Sequence, residues 1–112
     1  MNIKEKIDGS AKLSASGDIA KFEGEIDMQN PSIFLSPFFD EITEQMQEIV
    51  TLDFTALEYL NSSGIKCIVS FVLSKPDNSQ VTFLVDNDKS WQKTSFEVIQ
   101  SLDEENIIIQ EV

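Results

Sequence analysis

The run from Thr51 to Phe71 constrains the fold of this chain more than any other segment. Val50, Leu52 and Phe54 alternate with polar residues, which is the period of a short strand with one buried face. We expect a compact turn over residues 56–60, in which Leu57 and Leu60 anchor the segment onto the core. The segment therefore predicts a buried strand that leads through a turn into a helix.

The helix is predicted to begin at Asn61, Ser62 and Ser63, which are residue types that accept hydrogen bonds from free backbone N–H groups. It is predicted to end near Pro76. A helix N-terminus carries free N–H donors and about half a positive charge, so it tolerates a serine phosphate. Gly64 would let another backbone approach closely. One apolar stripe follows at helical spacing: Ile65, Ile68, Val69, Val72 and Leu73.

The stretch L-D-F-T-A-L-E-Y-L-N-S-S-G-I resembles the signature of STAS domains, the anti-sigma factor antagonist family, in which D-S-[ST]-G stands at a helix start. It is also similar to single-domain STAS-like proteins with L-N-[ST]-S-x-I-K at this place. The resemblance implies a bacterial, cytoplasmic phosphoprotein that binds other proteins in signal transduction. The implied partner is an anti-sigma-type serine kinase or related regulator. Such a kinase would phosphorylate the first serine, Ser62, and a PP2C-like phosphatase would reset it. The expected partner contacts are Asn61, Ser63, Gly64, Lys66 and Cys67.

Other interpretations of the same motif stay open. STAS-like domains also serve as non-phosphorylated scaffold subunits of signalling or lipid-transport complexes. The helix terminus alone also fits a small anionic ligand or nucleotide, and the two serines also fit plain helix caps. Cys67 and Phe71 lie off the main apolar stripe, where they either pack under a neighbouring helix or face a partner.

Composition narrows the class of function. The 112 residues predict one domain, residues 1–112. Eight basic and twenty acidic residues give a net charge of −12, which argues against nucleic acid and anionic lipid and favours a basic protein partner. Without histidine, and with one cysteine, the chain offers neither a catalytic triad nor a common zinc site, so we expect no enzyme activity, metal or cofactor. No segment resembles a signal peptide or membrane span.

The rest of the chain predicts an α/β fold, a STAS-like mixed β-sheet with helices packed on it, in which an N-terminal β-hairpin precedes alternating helices and strands. Residues 1–9 are interpreted as a polar lead-in or edge strand, and Ala11 to Ser16 with Ile19 to Ile26 as a hairpin. A first helix is expected to begin at Ser36–Pro37 and to extend through Met46 and Ile49. A strand containing Val81, Phe83 and Val85 follows, then a third helix containing Trp91, Phe96, Ile99 and Leu102, and a last strand at Ile107 to Val112. The strands near residues 51, 81 and 107 should run parallel.

Overall fold

The computed structural model, which covers residues 1–112, contains one six-stranded sheet and three helices. The elements are β1 (Asn2–Asp8), β2 (Ala11–Ser16), β3 (Ile19–Ile26), α1 (Ser32–Gln45), β4 (Ile49–Leu60), α2 (Ser62–Ser74), β5 (Gln80–Val85), α3 (Ser90–Gln100) and β6 (Ile107–Glu111). The strands lie in sequential order; β1, β2 and β3 pair antiparallel, and β3 to β6 pair parallel. The α/β class, the hairpin bounds and the parallel strands are therefore confirmed.

The helices cover one face of the sheet. Each parallel connection moves one strand further in the same direction, and right-handed crossovers then place every helix on the same side. The core beneath them is rich in stacked aromatic rings: Phe22 lies 4.7 Å from Phe54, Phe54 lies 4.3 Å from Phe96, and Phe39 lies 5.0 Å from Phe71, measured between ring centroids. This aromatic layer joins all three helices to the central strands.

Helix α1 starts one turn earlier than the sequence predicts, and it ends at Gln45, before the predicted Met46 and Ile49. It begins at Ser32, after Pro31, whose φ of −66° already suits a helix. The earlier start buries Leu35, and Pro37 lies inside the helix on an exposed side, where the carbonyl it leaves unpaired can reach water. The prediction of a helix start at Ser36–Pro37 was therefore wrong. Ile49 belongs to β4, not to α1.

Strand β4 is longer than predicted, because it continues through the residues expected to form a turn. Its pairing with β3 shifts register between Asp53 and Ala56 and again between Leu57 and Tyr59. Each shift places an extra β4 residue against β3, as a β-bulge does. The Asp53 carboxylate accepts hydrogen bonds from the backbone N–H and the hydroxyl of Thr55, at 2.9 and 2.7 Å. The bulges change which side chains face the core, so Leu57 and Leu60 are both buried.

Helix α2 has the predicted bounds but a rotated buried face. Its buried residues are Gly64, Ile68, Phe71 and Val72, whereas Leu73 is 69% exposed. In α3 the buried face likewise includes Phe96 and Ile99, and Leu102 lies beyond the helix end. The stripe predicted from spacing alone was therefore wrong at these two leucines.

Candidate functional site

The start of α2 is fixed by the side chain of Asn61. Its Oδ1 accepts a hydrogen bond from the Gly64 N–H at 2.8 Å, which is the N-cap interaction predicted from the sequence. Its Nδ2 donates to the Met28 carbonyl at 2.9 Å, and its backbone N–H donates to the Ile26 carbonyl at 3.1 Å. The last two bonds attach the helix start to the end of β3 and to the segment after it. An aspartate at this position would lack the donor that reaches Met28.

Gly64 is buried within the chain itself. A Cβ at this position would collide with the Leu60 Cδ1 and lie 3.2 Å from its Cγ. The close approach predicted for Gly64 therefore exists, but the group that approaches is the Leu60 side chain and not a second backbone. This packing sets the tight junction between β4 and α2 and brings the serines next to the last residue of the strand.

Ser62 and Ser63 are both exposed, and their hydroxyls make no hydrogen bond within the chain. They occupy the first two positions of α2, where backbone N–H groups have no partner inside the helix. The strand-to-helix junction lies beyond the carboxyl end of β4, the edge of parallel sheets where loops gather into sites. The arrangement presents two unused hydroxyls on a rigid, amide-rich turn.

Lys66 lies four residues after Ser62, so both side chains occupy the same flank of the helix. Six of the eight lysines form ion pairs with carboxylates, namely Lys6, Lys12, Lys21, Lys75, Lys89 and Lys93. Lys66 is exposed and forms none, although the chain carries twenty acidic residues. A cation therefore stands free beside the serine pair.

Cys67 lies on the opposite side of α2, toward α1. It is half-buried in a small cleft with Ser36, Phe39 and Phe71. Burial raises the pKa of the Cys67 thiol, and the Ser36 hydroxyl lowers it by a smaller amount. A thiol with a raised pKa is a poor nucleophile at neutral pH. The structure thus brings Asn61, Ser62, Ser63 and Lys66 together and places Cys67 around the helix, against its neighbour.

A buried glutamine braces the bulged strand before the motif, and sequence reasoning did not identify it. Gln92 of α3 is fully buried, and its Nε2 donates to the carbonyls of Phe54 and Leu57 at 2.7 and 2.9 Å. Its Oε1 accepts from the Asp86 N–H at 2.9 Å. The available signal was its spacing, because Gln92 shares the buried stripe with Phe96 and Ile99.

Lys89 reinforces the same strand end. Its ammonium donates to the Thr55 carbonyl at 2.7 Å and forms ion pairs with Glu58 and Asp86 at 3.3 and 3.4 Å. The polar groups beneath the motif are therefore satisfied internally, unlike those at its surface. No three histidine, cysteine or carboxylate side chains converge in an arrangement that would hold a metal ion. No helix is long and apolar enough to cross a membrane.

Solved structures identify the fold of this chain, whereas sequence comparison does not. The sequence matches no protein-family model and no curated protein. The fold is that of a STAS-like domain. An anti-sigma factor antagonist from Mycobacterium paratuberculosis superposes with a TM-score of 0.65 at 13% identity, over 88% of this chain and 83% of that one.

Two further structures extend the likeness over nearly the whole chain. Apo-SiaC from Pseudomonas aeruginosa gives a TM-score of 0.66 at 17% identity, over 98% of this chain and 97% of that one. A chain of the complex between the diguanylate cyclase SiaD and its activator SiaC, from the same organism, gives 0.71 at 15% identity, over 98% of this chain and 100% of that one. At these identities the likeness concerns the fold, and the STAS resemblance of residues 50–72 agrees with it.

Proposed function

We propose that this chain is a regulatory protein-binding module of the anti-sigma factor antagonist type, active in the bacterial cytoplasm and switched by phosphorylation of Ser62. Structural neighbours support the protein-binding part: one is an anti-sigma factor antagonist, and another belongs to a complex of an enzyme with its activator. The partner of this chain would be an anti-sigma-type serine kinase or a related regulator.

The proposal rests on the exposed, unbonded hydroxyl of Ser62, which lies on a turn held in place by Asn61 and Gly64. Asn61 and Gly64 are committed to internal contacts, whereas the side chains of Ser62, Ser63 and Lys66 form no hydrogen bond or ion pair within the chain. The hydroxyl of a phosphate acceptor has to reach into the active site of another protein. A rigid turn that projects a free hydroxyl meets that requirement with little reorganisation.

In the proposed reaction the kinase supplies the nucleotide, the metal ion and the base, and this chain supplies the attacking oxygen. The Ser62 Oγ bonds to the γ-phosphorus of ATP as the bond to the β-bridging oxygen breaks. ADP leaves, and the hydroxyl proton passes to the base of the kinase. The new group brings a charge of about −1.5 to −2 and three acceptor oxygens. In an interface fitted to a neutral hydroxyl, the bulk of the phosphate and the cost of desolvating it weaken the complex. Binding is restored when a PP2C-like phosphatase removes the phosphate.

Co-purification from the native host tests this proposal. With tagged variants, Ser62→Ala should retain the unmodified chain's partner, and Ser62→Asp should lose it, because the carboxylate adds charge and bulk where the partner docks. Ser70→Asp is the matched control, since Ser70 is exposed on the same helix two turns further on. Equal recovery of the partner with Ser62→Asp and Ser70→Asp would contradict the proposal.

A second candidate is a constitutive scaffold subunit, and the observation that favours it is the use of Asn61. Both ends of this amide are engaged within the chain, so the motif turn is stabilised irrespective of any modification. A scaffold would carry no phosphate in cells, and its partner would stay bound under all growth conditions. Phosphate mapping therefore separates the two candidates.

A further inference from the structure

An apolar groove of about 470 Å³ runs between α2 and α3, on the outer side of the helical layer. Its walls are formed by Ile65 and Val69 of α2 and by Val98 and Leu102 on the α3 side. Val98 is 68% exposed and Leu102 47% exposed, so neither contributes much to the core. A contiguous apolar surface of this kind, rimmed by polar residues, is characteristic of an interaction site.

An acidic notch continues the groove at one end. Leu102 lines both, and the notch is further lined by Asp77, Asp103 and Lys75. The Lys75 ammonium is already paired with Asp103 at 2.9 Å, so the carboxylate of Asp77 remains uncompensated there. Glu104 and Glu105 follow directly in the chain, are exposed and form no ion pair. The groove is thus apolar along its length and negative at its end.

We propose that this groove docks an amphipathic helix of a protein partner, whose apolar stripe enters between α2 and α3 and whose lysine or arginine enters the acidic notch. This deepens the proposed function and rests on it, because the groove would hold the partner of the regulatory module. The groove and the notch together follow α2 from Ile65 to Val72, a distance of about 10 Å, which accommodates about two turns of a docked helix.

Charge selects a basic partner over a second copy of this chain. Each copy carries a net charge of −12, so two copies repel each other. Six of its eight lysines are paired within the chain, which leaves few to enter the notch of another copy. A basic amphipathic helix complements both the apolar walls and the negative end.

The groove starts one turn from the proposed switch. Ile65 lies three residues after Ser62 and points to the same side of α2. A helix seated in the groove therefore reaches the serine pair with one end while the notch holds its other, basic end. In this arrangement the groove contributes the affinity for the partner, and phosphorylation of Ser62 controls whether the partner binds.

Binding of a synthetic peptide tests the groove without knowledge of the natural partner. The probe is a helical peptide of about 15 residues with leucine on one face and lysine on the other, and its control replaces every lysine by glutamate. In NMR titrations the lysine peptide should shift the signals of Ile65, Val69, Val98 and Leu102. The glutamate peptide should leave them unchanged.

Charge alone and docking in the groove predict opposite effects of Val98→Glu. The added carboxylate should strengthen a purely electrostatic attraction to the lysine peptide, whereas blocking the groove should weaken binding by about tenfold or more. Ile33→Glu is the matched control, because Ile33 is 75% exposed on α1 and gains the same charge away from the groove. Asp77→Asn should reduce affinity for the lysine peptide by a few-fold and leave the folded structure intact.

Three results would overturn the groove proposal: tighter binding to Val98→Glu than to the wild type, equal binding of both peptides, or a wild-type dimer that Val98→Glu disrupts. None of them bears on whether Ser62 is phosphorylated, which mass spectrometry reports separately. The groove proposal can therefore be contradicted while phosphorylation of Ser62 is confirmed, and the reverse also holds.

Discussion

The two ends of α2 use their polar groups in opposite ways. At its start, the hydroxyls of Ser62 and Ser63 and the ammonium of Lys66 are exposed and unbonded. At its end, Lys75 is almost fully buried, with its ammonium 2.9 Å from Asp103 and 3.0 Å from the Ser79 carbonyl. Polar groups that are satisfied internally hold the fold together, and those left free are available to another molecule. The comparison therefore separates a structural end of the helix from a functional one.

The largest expected effect comes from replacing the lysines at these two ends. Lys75→Ala leaves the Asp103 carboxylate and the Ser79 carbonyl without their partner, so we expect the free energy of unfolding to fall by about 3 kcal/mol. Lys66→Ala, in the same helix, should change it by less than about 0.5 kcal/mol. Urea unfolding of both variants measures the difference. Equal losses in the free energy of unfolding would mean that Lys75 contributes no more to stability than Lys66 does.

Gly64→Ala tests the junction that positions the serines. The new Cβ overlaps Leu60, which must move within a packed core, so we expect a loss of about 2 kcal/mol in the free energy of unfolding. Ser63→Ala, next to it but exposed, is the matched control and should be nearly neutral. A Gly64→Ala variant as stable as the control would show that Leu60 can move aside for the new Cβ without loss of stability.

Asn61 allows the cap to be separated from the tether to Met28. Asn61→Ala removes both side-chain bonds and should destabilise the protein by about 1.5 kcal/mol. Asn61→Asp keeps the acceptor for the Gly64 N–H but loses the donor to Met28, so its loss should be smaller, about 0.5–1 kcal/mol. Thermal unfolding ranks the two variants. An Asn61→Asp variant that is more stable than the wild type would show that the hydrogen bond to Met28 contributes nothing to stability.

Acid should weaken the structural end of α2. The hydrogen bond from Lys75 holds the pKa of the Asp103 carboxyl below its usual value. A group whose pKa is lower in the folded state stabilises the fold above its unfolded pKa of about 3.9, and this contribution is lost as the pH falls through the folded value. The stability difference between wild type and Asp103→Asn should therefore shrink from neutral pH toward pH 3. Asp40→Asn, exposed on α1 and unpaired, serves as the control.

Local patterns in the sequence predict the regular parts of this fold. The hairpin of β2 and β3 has the predicted bounds because strict alternation and the turn at Gly17 are local signals. The bulges of β4 are not local, since they depend on how β4 pairs with β3. Residues 56–60 were therefore predicted to form a turn, because Leu57 and Leu60 do not continue the alternation of Val50, Leu52 and Phe54.

The site shows the same division between local and distant information. Residue type predicts the cap at Asn61, but it offers Ser62 and Ser63 as caps equally, and their hydroxyls are free. The partners that fix the motif are remote in the chain: Met28 is 33 residues from Asn61, and Gln92 is 38 residues from Phe54. Such pairings follow from the packing of the whole sheet and cannot be read from a single stretch. The apolar groove was missed because Leu102 was assigned by spacing to the buried stripe of the third helix, and exposure depends on what covers a residue in the folded chain.

The proposed switch requires the free hydroxyl at the start of α2 to be a phosphate acceptor. Tandem mass spectrometry of the chain purified from its own host, across growth conditions, tests it most directly. We expect a phosphate on Ser62 whose occupancy changes with growth conditions and which is absent from the Ser62→Ala variant. A chain without phosphate in every condition, or with phosphate only at another residue, would contradict it.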